Sequence, residues 1–329
     1  MRFYWSVLVF GLLALPAWAA PTVDGTLDGA YGSAIAVQTV ETQFGDSSGG
    51  VTGGGELDAA YAFTGGGRLY VMLTGNIENN FNKVSVFFDS KSGGENVLTN
   101  VPQYDFNNVS QNFGGLTFDA GFAADYHLFG RWGGGGGNVF EIDFADRNGG
   151  ASASVGVNGG AASSGGGTAI QSGSVSPGNN GLDSAGFRTL TGFISNPVDF
   201  GFNNNNGAGV LGGTGAANQA AAAAVTTGFE FSVALADIGS PNIGDVIKIH
   251  VAYGNGDNNY HSNQTLAGLP AGTGNLGGDG AGGFTGTLSG VNFNNFAGDQ
   301  YFEVRVVPEP SSLVLFGLAL VGVACGRKR

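Results

Sequence analysis

Few residues in this 329-residue chain have the types and spacing that chemistry requires. Its three histidines are His127, His250 and His261, and no H-E-x-x-H spacing sets two of them on one helical face for a metal. His127 (DYHLF) and His250 (IKIHVAY) fall in alternating segments, where a strand role is expected. There is no G-x-S-x-G nucleophile elbow, and the expectation is a non-enzymatic protein. Gly207 to Gly212 matches G-x-G-x-x-G, but an Asn run precedes it and more Gly follows, so the strand–turn–helix context of a phosphate cradle is missing. Two carboxylate loops remain: Asp24 and Asp28 in DGTLDG, and Asp89 at the head of DSKSGGEN. Oxygen-rich loops of this kind suit structural Ca²⁺. The same Asp and Gly are also what tight turns need, and both readings stay open. Among the aromatic residues, Trp132 in GRWG sits at a Gly-flanked position expected to be exposed. Tyr253 and Tyr260 flank a GNGDNN loop, so these three are the candidate sugar contacts.

The ends carry clearer signals. Met1 and Arg2 precede an apolar run, 7–15, and Ala17 and Ala19 occupy the small-residue positions of a signal-peptidase site, predicting a signal peptide over 1–19. The single cysteine, Cys325, lies in the C-terminal apolar tail, so the body is expected to hold no disulfide, no Cys-based metal site and no N-terminal lipid anchor. In that tail, Leu313 to Cys325 would give about 20 Å of helix, against a hydrocarbon core of about 30 Å. It is a poor permanent anchor. Arg327, Lys328 and Arg329 would hold the C-terminus on the cytoplasmic side. Of 12 Lys and Arg and 25 Asp and Glu, four basic residues and Glu309 belong to these ends, leaving the body with eight basic and 24 acidic residues and a formal charge of −16. Such a body repels phosphate backbones, and no nucleic-acid partner is expected.

The composition, with 63 Gly, 11% charged residues and 42% hydrophobic residues, is too apolar for a disordered chain. Alternating apolar and polar residues mark strands over 34–40, 56–64, 68–74, 82–89, 122–129, 138–144, 225–233, 246–253 and 300–307, with weaker ones at 152–157 and 168–174. Gly65, Gly66 and Gly67 suit a hairpin. The alanine-rich run 216–225 suits a short helix, Leu235 to Gly239 a single turn closed by Gly, and Asn203 to Asn206 an exposed loop. Strands alternating with turns rather than helices predict an all-β fold: an antiparallel, jelly-roll-like sandwich over 20–306, with long Gly/Asn-rich loops, a signal helix before it and a short transmembrane helix after it.

The segment Val307-Pro308-Glu309-Pro310, its following apolar run and its basic end resemble the PEP-CTERM sorting signal of Gram-negative, often biofilm-forming, bacteria. The resemblance implies that 307–329 lodges transiently in the inner membrane, is recognised by an exosortase and is cut near Pro308, Glu309 and Pro310. The processing partners expected are therefore the exosortase and, from the Ala17 and Ala19 site, signal peptidase. With the acidic Gly/Asn-rich body and no catalytic motif, a protein of the cell surface or extracellular matrix is expected, with extracellular polysaccharide as its partner. In the body, VDGTLD (23–28), GRLYV (67–71), FEFSV (229–233), Leu235-Ala236-Asp237 and Gly244-Asp245-Val246 resemble family 9 carbohydrate-binding-module-like and DOMON-like sandwiches. Ser262-Asn263-Gln264 and Ala297-Gly298-Asp299-Gln300 resemble uncharacterised PEP-CTERM proteins. The sandwich resemblance implies sugar binding through paired aromatics and structural calcium; a carbohydrate-binding module with a defined glycan site is the alternative to a matrix role, and a secreted enzyme, with a triad assembled in space, is the third reading.

Overall fold

Val84, Val86 and Phe88 alternate with Lys83, Ser85 and Phe87 along one strand, yet all six are buried. Both faces of that strand must therefore be covered, and the computed structural model shows how. It describes residues 19–44, 54–101, 103–133, 139–147, 154–155, 170–175, 177 and 194–308. The expected signal helix and transmembrane helix, with Ala17, Glu309, Pro310, Arg327, Lys328 and Arg329, lie outside the described residues.

The strands are β1 (Ala36–Val37), β2 (Glu56–Gly65), β3 (Arg68–Asn76), β4 (Lys83–Asp89), β5 (Tyr126–Gly133), β6 (Val139–Asp146), β7 (Ser154–Val155), β8 (Ile170–Val175), β9 (Val198–Asn203), β10 (Gly228–Ala234), β11 (Val246–Gly254), β12 (His261–Leu266) and β13 (Phe302–Arg305). One antiparallel sheet runs β1-β2-β3-β10-β9-β8 and the other β12-β11-β4-β5-β6-β7, with β13 pairing β11 beside β12. Between the sheets Phe88 meets Phe231 at 6.1 Å between ring centroids, and Phe140 stacks on Phe202 at 4.5 Å. Gly130 occupies an inward position of β5 because a Cβ there would lie 2.7 Å from the Phe140 ring.

The outer face of the second sheet is covered by loops. Phe87 packs with Phe113, Leu116, Phe118, Phe122, Leu288 and Phe293 in a second apolar cluster. The architecture is thus a sandwich with a third, irregular layer. On the first sheet the N-terminal segment does the covering: Tyr31 joins Ala59, Tyr61 and Met72, and Gly201 lacks a Cβ where the backbone of Asp24 and Gly25 passes.

Several sequence expectations are corrected. β5 begins at Tyr126 rather than 122 and runs on through Trp132. Strands β9 and β12 were not foreseen. In β9 the Gly201 and Asn context masks a V-x-F-x-F alternation. β12, HSNQTL, reads as polar, yet its amides take the place of a neighbouring strand. Gln264 Oε1 accepts from Leu57 N at 3.2 Å, and Asn263 Nδ2 donates to Glu41 O at 2.7 Å while its Oδ1 accepts from Gln43 N at 3.0 Å. Asn203 to Asn206 is no simple exposed loop, since Asn204 is buried and its Oδ1 accepts from Ile77 N at 2.9 Å. The helix expected over 216–225 is one turn, α1 (Gln219–Ala222), capped by Asn218. The turn at Leu235–Ile238 ends at Gly239 with φ of 90°.

Glu230 ties the N-terminal cover to β10, accepting from Asp24 N and Gly25 N, each at 2.9 Å, and from Tyr31 Oη at 2.6 Å. Burial pushes its carboxyl up from 4.5 to about 7, opposed by these donors. The folded state thus keeps a proton that the unfolded chain releases, so this contribution to stability is full below pH 4.5 and is lost as pH rises through about 7. Gln in its place keeps all three partners, with the Tyr31 hydroxyl turned to accept. We expect Glu230→Gln to flatten the fall in melting temperature between those two pH values; an unchanged pH profile would remove Glu230 as its source.

Candidate functional site

Strand alternation decides which way the candidate residues face. Trp132 turns into the sandwich, 1% exposed, with its ring 5.5 Å from that of Phe202. The expectation of an exposed Trp132 is corrected: flanking glycines here mark close packing, not a surface turn. Tyr253 is fully buried, and its hydroxyl accepts from Glu78 N at 3.0 Å. Tyr260 is half-buried, stacks on Phe44 at 5.9 Å and donates to Gly282 O at 3.0 Å. None of the three presents a free ring face at a common surface.

The loop between the two tyrosines does line a groove. Asn255, Gly256 and Asp257 form one wall of a depression of about 520 Å³, with Asn80, Phe81, Asn82, Arg131 and Glu141 forming the rest. Phe81 is 36% exposed and holds a left-handed backbone, φ of 65°, a conformation that costs a bulky residue about 1–3 kcal/mol. Its N–H donates to Trp132 O at 2.8 Å, and its ring lies against Gly133, where a Cβ would fall 2.6 Å from a ring carbon. The Arg131 guanidinium sits 5.6 Å from the ring centroid. One side of the ring is therefore supported and part of it meets solvent. The amide of Asn255 fixes its own loop by accepting from Asn259 N and Tyr260 N at 3.0 and 3.1 Å.

Beneath the groove lies a charged cluster. β4–β5 pairing sets Lys83 opposite Arg131, and β5–β6 pairing sets Arg131 opposite Glu141 and Phe129 opposite Asp143. Arg131 Nε donates to Glu141 Oε2 at 2.5 Å and its Nη1 to Asp105 Oδ1 at 3.1 Å. Lys83 Nζ contacts Asp105 Oδ2. The groove thus offers an aromatic platform, amides and carboxylates, which are the donors and acceptors that a polyhydroxyl ligand needs. Sequence reasoning found the 254–259 loop but missed Phe81, because a Phe amid NNFNK carries no sign of its left-handed backbone.

The other candidates are engaged elsewhere. Asp24 Oδ1 accepts from Thr26 N at 2.8 Å and Asp28 Oδ2 from Thr22 N at 2.5 Å, both on the outer side of the first sheet. Asp89 ends β4 in the second sheet and accepts from Ala123 N at 3.2 Å. Among the described residues no group of three or more His, Cys, Asp or Glu is placed to hold a metal ion. The histidines are buried, and each Nδ1 is engaged: His127 with Tyr104 Oη, His250 with Gln300 O, and His261 with Ser262 O. Burial lowers His250 to about 3 and His261 to about 4, and holds His127 well below its ordinary value. In the 207–212 segment, Val210 N donates to Asp58 Oδ1 at 2.8 Å, so a carboxylate already sits where a phosphate would.

Pro308 lies three residues beyond the end of β13 at Arg305, and from there the sequence runs into the sorting tail. Residues 306–329 match the model of the PEP-CTERM protein-sorting motif. The chain carries a PEP-CTERM sorting signal. It is therefore an exported protein sorted by an exosortase, with a precursor held transiently in the membrane. No curated protein and no solved structure matches the chain.

We expect Trp132→Ala to destabilise the body by roughly 3–5 kcal/mol through the cavity it leaves, read by denaturant unfolding. A midpoint unchanged from the native protein would contradict its role between the sheets.

Proposed function

We propose that the exported body is a non-enzymatic cell-surface or extracellular-matrix protein that associates with the exopolysaccharide of a biofilm, with the Phe81 groove as its contact. The observation that carries this reading is the solvent-facing Phe81 ring, set in a left-handed backbone between Asn80, Asn82 and the Asn255–Asp257 wall. The sorting signal supports it by delivering the body outside the cell, and the body's charge of −16 keeps a Gly- and Phe-rich chain soluble there. The groove's defined volume also favours the narrower reading of a carbohydrate-binding module with a specific glycan.

Affinity electrophoresis against a panel of bacterial and plant polysaccharides tests both. Asn tolerates the left-handed backbone, so Phe81→Asn removes the ring without adding strain. We expect it to weaken binding roughly tenfold or more, equivalent to about 1.4 kcal/mol. Binding confined to one polysaccharide favours the module, and binding to several favours the matrix role. Native protein that no polysaccharide retards would end this reading.

Processing has its own readout. Mature protein from the native host is expected to lack Cys325 by mass spectrometry, and to keep it when the exosortase is deleted; retention of Cys325 in the wild-type host would restore a permanent anchor.

A further inference from the structure

We propose that Lys83 and Asp105 are joined by an intramolecular amide bond that forms after folding. Lys83 opens β4 with its side chain on the outer face of the second sheet, and it is 1% exposed. Asp105 belongs to the loop layer above that face and is equally buried. Its backbone takes a left-handed φ of 70°, which turns its carboxyl onto the lysine, so that Nζ and Oδ2 are in contact. The Phe129 ring lies 5.0 Å from Nζ and helps exclude water.

Amide formation needs a neutral amine, a carboxyl that can lose an oxygen, and a group that carries protons between them. Burial lowers the proton affinity of Lys83, in the direction that frees the amine. Asp143, on the same face one row from Arg131, is completely buried, and burial holds it well above the ordinary carboxylate range, as a proton donor. Its Oδ1 accepts from Phe144 N at 3.0 Å, while its Oδ2 has no hydrogen-bond partner among the described residues. Arg131 Nη1 holds Asp105 Oδ1, the oxygen that stays, and polarises the carbonyl under attack.

The step balances without an oxidant or an external reagent. The Lys83 ammonium passes one proton to Asp105 Oδ2, with which it is in contact, and the neutral amine attacks Asp105 Cγ, so that a C–N bond forms. Asp143 gives Oδ2 its second proton, the C–O bond breaks and water leaves. The nitrogen returns a proton to Asp143, which ends as it began. The net change from the ammonium–carboxylate pair is one amide and one water. Condensation removes two charges whose burial is costly, and Arg131 keeps its partner in Glu141. The bond would tie the loop layer to β4 across 22 residues, a covalent staple in a body that has no cysteine.

Mass spectrometry of the full chain purified from an exporting host tests this directly. Under denaturing conditions the native protein should be lighter than its processed sequence by one water. A protease digest should contain a branched peptide joining Lys83 to Asp105. An amine-reactive reagent applied in denaturant should label Lys91 and Lys248 but not Lys83. Lys83→Arg should restore the full sequence mass. Asp143→Asn keeps both partners and should leave most chains uncondensed. Native protein at full sequence mass with Lys83 labelled would overturn the proposal, whether or not any variant folds. Condensation undiminished in Asp143→Asn would overturn the proton-carrying role.

Discussion

Burial of the second sheet on both faces is the constraint on which the rest of this structure depends. β5 sends Tyr126, Leu128 and Trp132 into the sandwich and His127, Phe129 and Arg131 to the opposite side, and all six are withdrawn from water. An antiparallel sheet commonly leaves one face solvated; this one cannot. The segments between β4 and β5 and after β12 therefore form a layer rather than a fringe, contributing Phe113, Leu116, Phe118, Leu288 and Phe293 to a core of their own.

An irregular layer has no ladder to satisfy its backbone, and buried carbonyls need partners. Asparagine supplies them. Asn96 Nδ2 donates to Asp119 O and Phe122 O at 2.7 and 2.8 Å, and Asn294 Nδ2 donates to Phe118 O at 2.8 Å. The Gly- and Asn-rich composition, which reads as flexible decoration, is in these places what lets loops pack. The amides of β12 do the same at the other end of the sheet.

The same two-sided burial joins the groove to the charges below it. Arg131 touches the Phe81 platform above and the Asp105 and Glu141 carboxylates beside it. The left-handed backbones at Phe81 and Asp105 are held by the packing around them, and each delivers a side chain that an ordinary turn would point elsewhere. The surface proposed for glycan contact is thus the upper side of the cluster proposed to hold the covalent bond.

Local stretches of sequence suffice for export, sorting and the class of fold. Export and sorting are read from local segments, and the 306–329 motif stands without reference to the fold. Period-two alternation located most strands, because each buries at least one apolar row. Tertiary structure alone decided the third layer, the polar strand β12, and the inward turn of Trp132 and Tyr253. It also decided the pairing of Lys83 with Asp105 and the exposure of Phe81. The physical reason is shared: each depends on strand register or on a backbone held in a left-handed region by distant neighbours, and neither leaves a periodic mark in the sequence.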